Sequence, residues 1–469
     1  MGLATFRGGV HAYEGKNLSE YCAIKELEFD GDYVFPMSQG IGAPSKPIVA
    51  VGDYVLAGQK IAEPGGFISA VVTSSVSGTV KAIEPRLNTM GNYVQAIVIT
   101  SDGLFKEVEG IGTERSLDDL TKNDIRAIIK EAGIIGMGGA GFPTHVKLAP
   151  KNDDDIDFVI ANGSECEPML TNDHRLMVEE PERVVGGMKV VLSLFPNAKG
   201  VIAIENNKQT AIDKIKHLIE NEKRISVVVM RTKYPEGGER QLIYAVTGRQ
   251  INSKMLPADA GCVVDNVATL AAIYDAVMKS TPIMKKNITI TGDAIADPSN
   301  VRIRLGVSYA RIVEAIGGYN CTPAKVICGG PMMGMALFNT DVPVVKNSSA
   351  LCAFVHDEVA ESKGTHCVRC GRCVDACPIF LIPPILSKEV EKGNLDKFQK
   401  LNGMECIECG TCSYICPAKR PLTQLFKQAR REVMTITRAK QAAEKAKADA
   451  EKAAAEAKAA EAKAEEKKD

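Results

Sequence analysis

The sequence predicts a multidomain α+β chain with an N-terminal β-sandwich, an α/β domain, a β-grasp module, an α-helical cysteine-rich domain and a helical charged tail. Short strand-like runs broken by Gly and Pro come first, and alternating strand and helix patterns follow them. Eight of the 14 cysteines then lie in two tight runs near the C-terminus. A length of 469 residues is more than one core accommodates. We expect the domain bounds to be 1–110, 111–250, 251–345, 355–430 and 431–469.

The composition is that of a soluble globular protein, with 45% hydrophobic residues, 25% charged residues and a formal net charge of −1. No basic domain stands out and Trp is absent, so few aromatic platforms could stack bases and no nucleic-acid partner is expected. No apolar run approaches the roughly 20 residues of a membrane helix, and the N-terminus lacks the apolar core of a signal peptide. We therefore expect no direct membrane span, so that any membrane contact runs through partners.

Residues 1–110 contain the strand-like runs PIVAVGDYVLAGQKIAE and FISAVVTSSVSGTVKAIE. Their G-D-x-V-x-x-G-Q turn and V-S-G-T-V hairpin resemble the β-sandwich, or barrel-sandwich hybrid, of lipoyl and biotinyl carrier domains. Such carriers display a lysine at a hairpin tip, whereas the matching stretch here, Glu63–Phe67, has none. We interpret the domain as a structural or docking sandwich without a swinging arm.

From Asp118 the hydrophobic period becomes helical, and the strand-like segments DFVIANG, GVIAIEN and ISVVVMR alternate with helical patterns. This alternation predicts a mainly parallel α/β domain, with ligands expected at its strand ends. Between residues 284 and 340, two strands, a helix beginning near Ser308 and a further strand suggest a small β-grasp module. Beyond Arg438 the chain is nearly all Ala, Lys and Glu, which favours a solvated helix or a disordered tail.

The two cysteine runs share the pattern C-x-x-C-x-x-C-x-x-x-C-P, which is the spacing of bacterial ferredoxins. In that pattern three close cysteines bind one [4Fe-4S] cluster and the fourth binds the other. One cluster is therefore expected on Cys367, Cys370, Cys373 and Cys416. The other is expected on Cys406, Cys409, Cys412 and Cys377. The alternative is a pair of zinc sites, but zinc motifs normally pair two C-x-x-C units without a third close cysteine or a C-P ending.

A glycine-rich run, G-I-I-G-M-G-G-A-G-F-P-T-H-V-K, lies between a predicted helix and a predicted strand. Its backbone could approach a phosphate closely, with N–H groups pointing inward and Lys147 as counter-charge. The run is not a G-x-x-x-x-G-K-[ST] phosphate loop, because no Ser or Thr follows Lys147 to hold magnesium, and it lacks the Rossmann spacing. On these residues alone, an ordinary structural turn remains the alternative.

Three motifs together resemble the flavin-bearing, NADH-oxidising subunit of respiratory complex I. They are G-G-A-G-F-P-T-x-x-K in the glycine-rich run, N-x-x-E-x-E-P after the strand DFVIANG, and N-V-x-T at a helix start. The whole domain order, with the N-terminal residues Gly8–His11, is similar to the C subunit of the Rnf-type ion-translocating ferredoxin:NAD oxidoreductase complex. The resemblance covers nearly the entire chain.

The resemblance implies a non-covalent FMN and NAD(H) surrounded by Gly136, Gly138, Gly139, Ala140, Gly141 and Lys147. It implies that the flavin pocket is lined by Asn162, Glu165 and Glu167. The nicotinamide or its ribose would lie near Glu236 and Glu239. The flavin phosphate would lie near Asn266 and Thr269. Phe142 is expected either to stack on an aromatic ring of the nucleotide or to lie in the core.

The resemblance further implies a peripheral electron-transfer subunit at the cytoplasmic face of the membrane. NADH delivers two electrons as a hydride and a [4Fe-4S] cluster accepts one, so a flavin is expected between them. No catalytic acid or base is expected. The partners would be the other subunits of a complex that exports Na+ or H+, with ferredoxin reached indirectly through them. Two alternatives stay open: a cobalamin reductase of the microcompartment type, and a cluster-bearing relay scaffold without its own NADH site.

Overall fold

The structure is a computed structural model that describes the backbone of residues 2–465 and the side chains of residues 2–448. The chain divides after Lys363 into two compact units. The first unit holds the sandwich, a parallel α/β sheet and a mixed sheet, and the second holds both cysteine runs. Among the helices described between residues 2 and 465, none combines the length and the apolar content that crossing a bilayer requires.

The N-terminal sandwich consists of two small antiparallel sheets. The first eight strands of the chain are β1 Lys25–Glu26, β2 Gly31–Pro36, β3 Lys46–Pro47, β4 Tyr54–Val55, β5 Lys60–Glu63, β6 Val72–Thr73, β7 Gly78–Leu87 and β8 Tyr93–Ser101. One sheet has the order β2-β8-β7-β4 and the other the order β3-β5-β6. Alternate side chains such as Phe35, Ile97 and Ile99 point into the same core as Ile61 and Val72 of the second sheet, because strand residues two apart share a face.

The α/β sheet is entirely parallel, with the order β11-β10-β9-β12. Its strands are β9 Phe158–Gly163, β10 Lys199–Glu205, β11 Ile225–Met230 and β12 Cys262–Asn266. Its helices are α1 Lys122–Glu131, α2 Thr144–Lys147, α3 Asn172–Glu179, α4 Pro181–Leu194, α5 Gln209–Leu218, α6 Glu239–Thr247 and α7 Val267–Lys279. Helices α4 and α7 pack closely, since a Cβ at Gly187 would lie 1.9 Å from Leu270 O.

The third sheet is mixed and has the order β1-β14-β13-β17-β15-β16. Its remaining elements are β13 Lys285–Thr291, β14 Ser299–Arg304, α8 Tyr309–Ala315, β15 Lys325–Cys328, β16 Met335–Ala336 and β17 Ala350–Phe354. A short helix, α9 Glu358–Glu361, follows it. The strand β13 pairs parallel with β17 and antiparallel with β14.

The structure corrects both expected bounds of the 251–345 module. The strand β12 pairs with β9, so residues up to the end of α7 belong to the α/β sheet. At the other end, β17 completes the mixed sheet beyond residue 345. The reason for the first error is that C-V-V-D-N is a short buried run, which periodicity alone does not assign to one sheet or the other.

The second unit is helical, with α10 Arg372–Asp375, α11 Pro383–Glu391, α12 Leu395–Lys400, α13 Thr411–Tyr414 and α14 Leu422–Glu465. Its core contains Leu386, Phe398 and Phe426, and the two phenyl rings lie 6.2 Å apart. Helix α14 buries an apolar stripe as far as Val433 and continues through most of the expected tail. The last residues of that tail, 466–469, lie outside the described part of the chain.

The N-terminal sandwich, the α/β domain and the mixed sheet meet at Lys346, which is 1% exposed. The nitrogen Nζ of Lys346 donates to Val71 O of the sandwich at 2.6 Å and to Gly133 O of the α/β domain at 2.8 Å. Burial lowers the pKa of Lys346 to about 7. A neutral amine still has two N–H donors, so both carbonyl bonds persist after the proton is lost.

Replacing Lys346 with Met should remove a pH-dependent part of the first unit's stability. A free lysine has a pKa of about 10.4, so above pH 7 the unfolded chain binds a proton that the folded chain lacks. Folded stability therefore rises with pH across this window, by at most about 1.4 kcal/mol per pH unit from this group.

We expect the parent to gain stability over Lys346→Met between about pH 7 and about pH 9, in urea unfolding followed by circular dichroism. The matched control is Lys130→Met, because Lys130 is exposed on α1. A stability difference that is equal at both pH values would contradict the titration of Lys346.

Candidate functional site

A cleft of about 1300 Å³ runs along β12, one of the two edge strands of the parallel sheet. Small-molecule sites typically have about 300–1,000 Å³, so this cleft can hold a large nucleotide ligand. Ten of the fourteen residues expected around FMN and NAD(H) line it: Gly136, Gly138, Gly139, Ala140, Gly141, Phe142, Lys147, Asn162, Glu239 and Asn266. The other four, Glu165, Glu167, Glu236 and Thr269, are not among its lining residues.

The glycine loop, residues 136–142, forms one wall of the cleft. Gly136 N donates to Phe142 O at 2.8 Å and so closes the loop. Thr269, at the start of α7, is fully buried, and its hydroxyl accepts from Met137 N at 3.0 Å. Thr269 thus supports the loop from behind. A Cβ at Gly138 would lie 2.9 Å from the Asn266 amide, so only glycine fits at 138 without a shift.

Residues outside the α/β domain also fix the glycine loop. Ala140 O accepts from Ile41 N of the sandwich at 3.0 Å, and Gly139 O accepts from the Asn347 amide at 3.2 Å. Gly141 has a φ of +70°, and a Cβ there would lie 2.8 Å from the Cα of Gly40. The carbonyls of Gly139, Ala140 and Phe142 are therefore engaged within the protein, which restrains the loop backbone.

Lys147 ends α2 and lines the cleft beside a buried carboxylate. Its Nζ donates to Val264 O at 2.7 Å and to Asp265 Oδ1 at 3.1 Å. Burial lowers the pKa of Lys147, but Asp265 and Glu239 raise it by more, so the net shift is upward and the ammonium keeps its proton. Sequence reasoning missed Asp265, although its place next to Asn266 at the end of β12 was a usable signal.

Glu165 and Glu167 hold backbone next to the cleft instead of lining it. Glu165 has a φ of +45°, and its carboxylate accepts from Asp173 N at 2.7 Å in the first turn of α3. Glu167 accepts from Met332 N at 3.0 Å and Met333 N at 2.9 Å, in the segment between β15 and β16. Burial raises the pKa of each to about 7. The assignment of both residues to a flavin pocket stays a prediction, and neither side chain lines this cleft.

A buried lysine donates hydrogen bonds to the backbone carbonyls of these two glutamates. The Nζ of Lys16 donates to Glu165 O at 2.9 Å, Glu167 O at 3.0 Å and Leu170 O at 2.6 Å. Burial, with a contribution from Lys208, lowers the pKa of Lys16. The N-terminal segment therefore restrains the turn that follows β9 through these three hydrogen bonds. Nothing in the sequence pattern distinguished this lysine from a surface one.

Glu236 lies in a buried polar layer at the carboxyl ends of β9 and β10. It is fully buried, and the Thr5 hydroxyl donates to its Oε2 at 3.3 Å. Burial first, and then the nearby Glu205, raise the pKa of Glu236 to about 8. In the same layer Lys208 Nζ donates to Ser164 O at 2.6 Å and to Glu205 at 3.2 Å. Glu236 was expected near the nicotinamide, and in the structure only its neighbour Gly237 lines the cleft.

Several buried polar atoms around the cleft have no hydrogen-bond partner among the described residues. They are Thr144 Oγ1, Ser164 Oγ, Glu236 Oε1 and Asp265 Oδ2. Each belongs to a residue no more than two positions from one that lines the cleft. None of these four residues lines the cleft itself. The open glycine loop and the Lys147 cation do line it, and they fit the phosphate of a flavin or nucleotide.

The eight clustered cysteines line two separate cavities in the second unit. The first cavity, of about 140 Å³, is lined by Cys367, Cys370, Cys373 and Cys416. The second, of about 20 Å³, is lined by Cys377, Cys406, Cys409 and Cys412. These are the two groups expected from ferredoxin spacing, each with its fourth cysteine from the other run. Four thiolates around each cavity are a donor set that suits a [4Fe-4S] cluster.

Three family matches cover most of the chain. Residues 4–104 match the RnfC barrel sandwich hybrid domain, and residues 129–275 match the Nuo51 FMN-binding domain. Residues 361–417 match a 4Fe-4S dicluster domain. The first unit thus contains an FMN-binding domain, and the second contains a domain for two clusters. The 129–275 match also takes in β12 and most of α7, in agreement with the sheet pairing.

Three relatives resemble the chain over most of its length, and each is the C subunit of its complex. That of the Na(+)-translocating ferredoxin:NAD(+) oxidoreductase complex of Acetobacterium woodii is 43% identical over 92% of this chain and 97% of its own. The subunit of the proton-translocating complex of Clostridium ljungdahlii is 44% identical, over 82% of this chain and 84% of its own. The subunit of the ion-translocating oxidoreductase complex of Rhodobacter capsulatus is 38% identical, over 91% of this chain and 82% of its own.

Among solved structures, the NAD+-reducing [NiFe]-hydrogenase in its H2-reduced state has 20% identity and a TM-score of 0.49. That likeness covers 67% of this chain and 63% of the other, and it is too weak to bear on function. The identity and coverage of the three relatives, in contrast, place this chain in the RnfC family, the C subunits of Rnf-type ion-translocating ferredoxin:NAD(+) oxidoreductase complexes.

Proposed function

We propose that this chain is the peripheral electron-transfer subunit of a membrane-bound, ion-pumping ferredoxin:NAD(+) oxidoreductase complex. It exchanges electrons between NAD(H), a non-covalent FMN and two [4Fe-4S] clusters, and it lies at the cytoplasmic face of the membrane. The observation that carries the proposal is that one chain joins a glycine-loop cleft of nucleotide size to two four-cysteine cavities. Ferredoxin is reached through the other subunits.

Within the cleft, the chain's own residues bind and orient the ligands. We assign the N–H groups of residues 138–141 and the Lys147 ammonium to the anionic part of the ligands, and Asn162, Glu239 and Asn266 to their polar edges. A bound FMN supplies the ability to take an electron pair and return single electrons. Glu165, Glu167 and Thr269 act by holding backbone in place. We also propose that the mixed sheet with α8 is the β-grasp module, with its bounds moved to residues 284–354.

Substitution at Gly139 tests the flavin site without disturbing the protein. A Cβ at Gly139 meets no protein atom within 4 Å, and its φ lies outside the left-handed region, so the empty protein tolerates a side chain there. A ligand seated against the loop would lose that space. We expect Gly139→Val to weaken FMN binding about tenfold, a cost of about 1.4 kcal/mol, and Gly139→Ala to weaken it less.

The measurement is quenching of flavin fluorescence when FMN is added to anaerobically purified, flavin-free protein. Iron, sulfide and FMN are quantified on the same sample. The unfolding temperature without FMN should not change, and Lys130→Met serves as the control away from the cleft. Unchanged FMN affinity in Gly139→Val would place the flavin elsewhere. If the parent binds no FMN at all, the chain is a relay scaffold instead.

The two cysteine cavities differ in the hydrogen bonds that reach their sulfur atoms. In the second cavity Leu381 N donates to Cys377 Sγ at 3.2 Å, and the Thr423 hydroxyl lies 3.6 Å from Cys412 Sγ. A cysteine thiolate has no hydrogen to give, so Thr423 becomes the donor once a cluster is bound. Hydrogen bonds to sulfur tune the reduction potential of a cluster, because they stabilise its more negative, reduced state.

Thr423→Val should therefore lower the midpoint potential of the second cluster and leave the first unchanged. Valine keeps the shape of threonine and removes only the hydroxyl. The potentials are measured by redox titration followed by electron paramagnetic resonance. Thr435→Val on the exposed part of α14 is the control, since its hydroxyl bonds only its own helix at Arg431 O. Equal shifts of both clusters, or no shift in either, would contradict the assigned role.

A further inference from the structure

The two cysteine runs provide an internal comparison, because their backbones repeat each other. Arg369 and Glu408 occupy the same place in each run, with φ values of 59° and 58°. A glycine with positive φ follows the second cysteine of both runs, at Gly371 (80°) and Gly410 (86°). A four-residue helix then begins in each, α10 and α13. Any difference between the two sites therefore lies in side chains and surroundings.

The first site is open and the second is closed. Cys367 and Cys370 are exposed, whereas Cys409 and Cys412 are buried. Between the first two cysteines of the first run, Val368 is 63% exposed. The cavity volumes of about 140 Å³ and about 20 Å³ show the same contrast. A second protein can therefore come within contact distance of the first set of thiolates.

The charges at the two sites are opposite in sign. The charged residues lining the first cavity are Arg369 and Arg420, and the one lining the second is Glu408. Glu408 is neutralised by an ion pair with Arg430 on α14, and Arg420 by one with Glu391 on α11. Arg369 and the exposed Arg372 form no ion pair with any acidic side chain in the described residues. At the position that matches Arg372, the second run has the buried Thr411.

We infer that the open face at Cys367–Arg372 is the docking surface for an acidic electron-transfer protein, which exchanges single electrons with the first cluster. The exposed Val368 lies next to two arginines without ion pairs, Arg369 and Arg372. This arrangement is typical of a small, transient interface with a charged rim. The unpaired arginines select the sign of the partner, since complementary charge speeds association and like charge slows it. The inference rests on the proposed function only in requiring that the cysteines hold clusters.

The test uses the full chain with both clusters and the charge reversal Arg369→Glu/Arg372→Glu. In one reaction a reduced, acidic two-cluster ferredoxin gives one electron to the oxidised chain. In the other, the dithionite-reduced chain gives one electron to the ferric haem of a basic cytochrome c. Both are followed by stopped flow at low and high ionic strength. The matched control is Lys392→Glu/Lys400→Glu, which makes the same charge change at exposed sites lining neither cavity.

We expect the reversal to slow the ferredoxin reaction about tenfold at low salt and to speed the cytochrome reaction by a similar factor. Both effects should fade at high salt. The control pair should leave both rates unchanged. A damaged protein would slow both reactions, so the opposite signs separate docking from misfolding. If the double variant loses iron, Arg372→Glu alone, which does not line the cavity, should show about a threefold change in each direction.

Three outcomes would overturn the inference. The first is rates and salt dependence equal to those of the parent. The second is the same change in the lysine control, which would show an effect of bulk charge. The third is a slower reduction of the clusters by NADH within the chain, which would mean that this face meets the chain's own flavin domain. Because the ferredoxin reaction needs no flavin, failure of the FMN proposal would leave this test intact.

Discussion

The first unit depends on the contact of one buried amine with two carbonyl groups. Lys346 belongs to the loop before β17, and it bonds the backbone of the sandwich at Val71 and of the α/β domain at Gly133. Gly133 lies three residues before the glycine loop begins. The position of the loop that forms one wall of the cleft therefore depends on contacts with the sandwich, the α/β domain and the mixed sheet. An unpaired buried carbonyl would cost about 1–3 kcal/mol, so the bonds from Lys346 also remove two such penalties.

Other buried polar side chains around the cleft also hydrogen-bond the backbone of loops. Lys16 bonds three carbonyls of the turn after β9, and Thr269 supports the glycine loop from α7. Glu165 and Glu167 bond backbone N–H groups of two further segments. Charged side chains are thus used inside the protein to fix loop backbone, while the cleft itself is lined by open glycine backbone. A rigid wall of this kind reduces the ordering cost of binding a ligand.

The sequence was informative wherever chemistry depends on spacing along the chain. The grouping of Cys377 with the second run, and of Cys416 with the first, follows from ferredoxin spacing and agrees with the two cavities. The glycine loop, Lys147 and Asn266 were likewise identified by local motifs, and they line one cleft. The assignment of these residues to flavin and nucleotide remains a prediction.

Features set by long-range packing were not accessible in this way. Glu165 and Glu167 were placed in the pocket by motif, but their side chains follow the local backbone turn toward distant N–H groups. Lys16 and Lys346 resemble surface lysines in the sequence, because a sequence does not show which carbonyls will surround an amine. The bounds at 250 and 345 failed since strand pairing, as of β12 with β9 and of β17 with β13, is decided by the sheet and not by the strand.

If each cavity holds a cluster, the exchange of fourth cysteines between the two runs would make metal loading cooperative. Neither cavity has all four cysteines until both runs have folded together. Insertion of one cluster would therefore also bring the fourth cysteine of the other cavity near its final position. The converse holds during damage. Oxygen that destroys the exposed cluster releases Cys416, which is joined to Cys412 of the buried set by the end of α13. Loss of the open cluster would therefore remove a constraint on the chain next to the buried set.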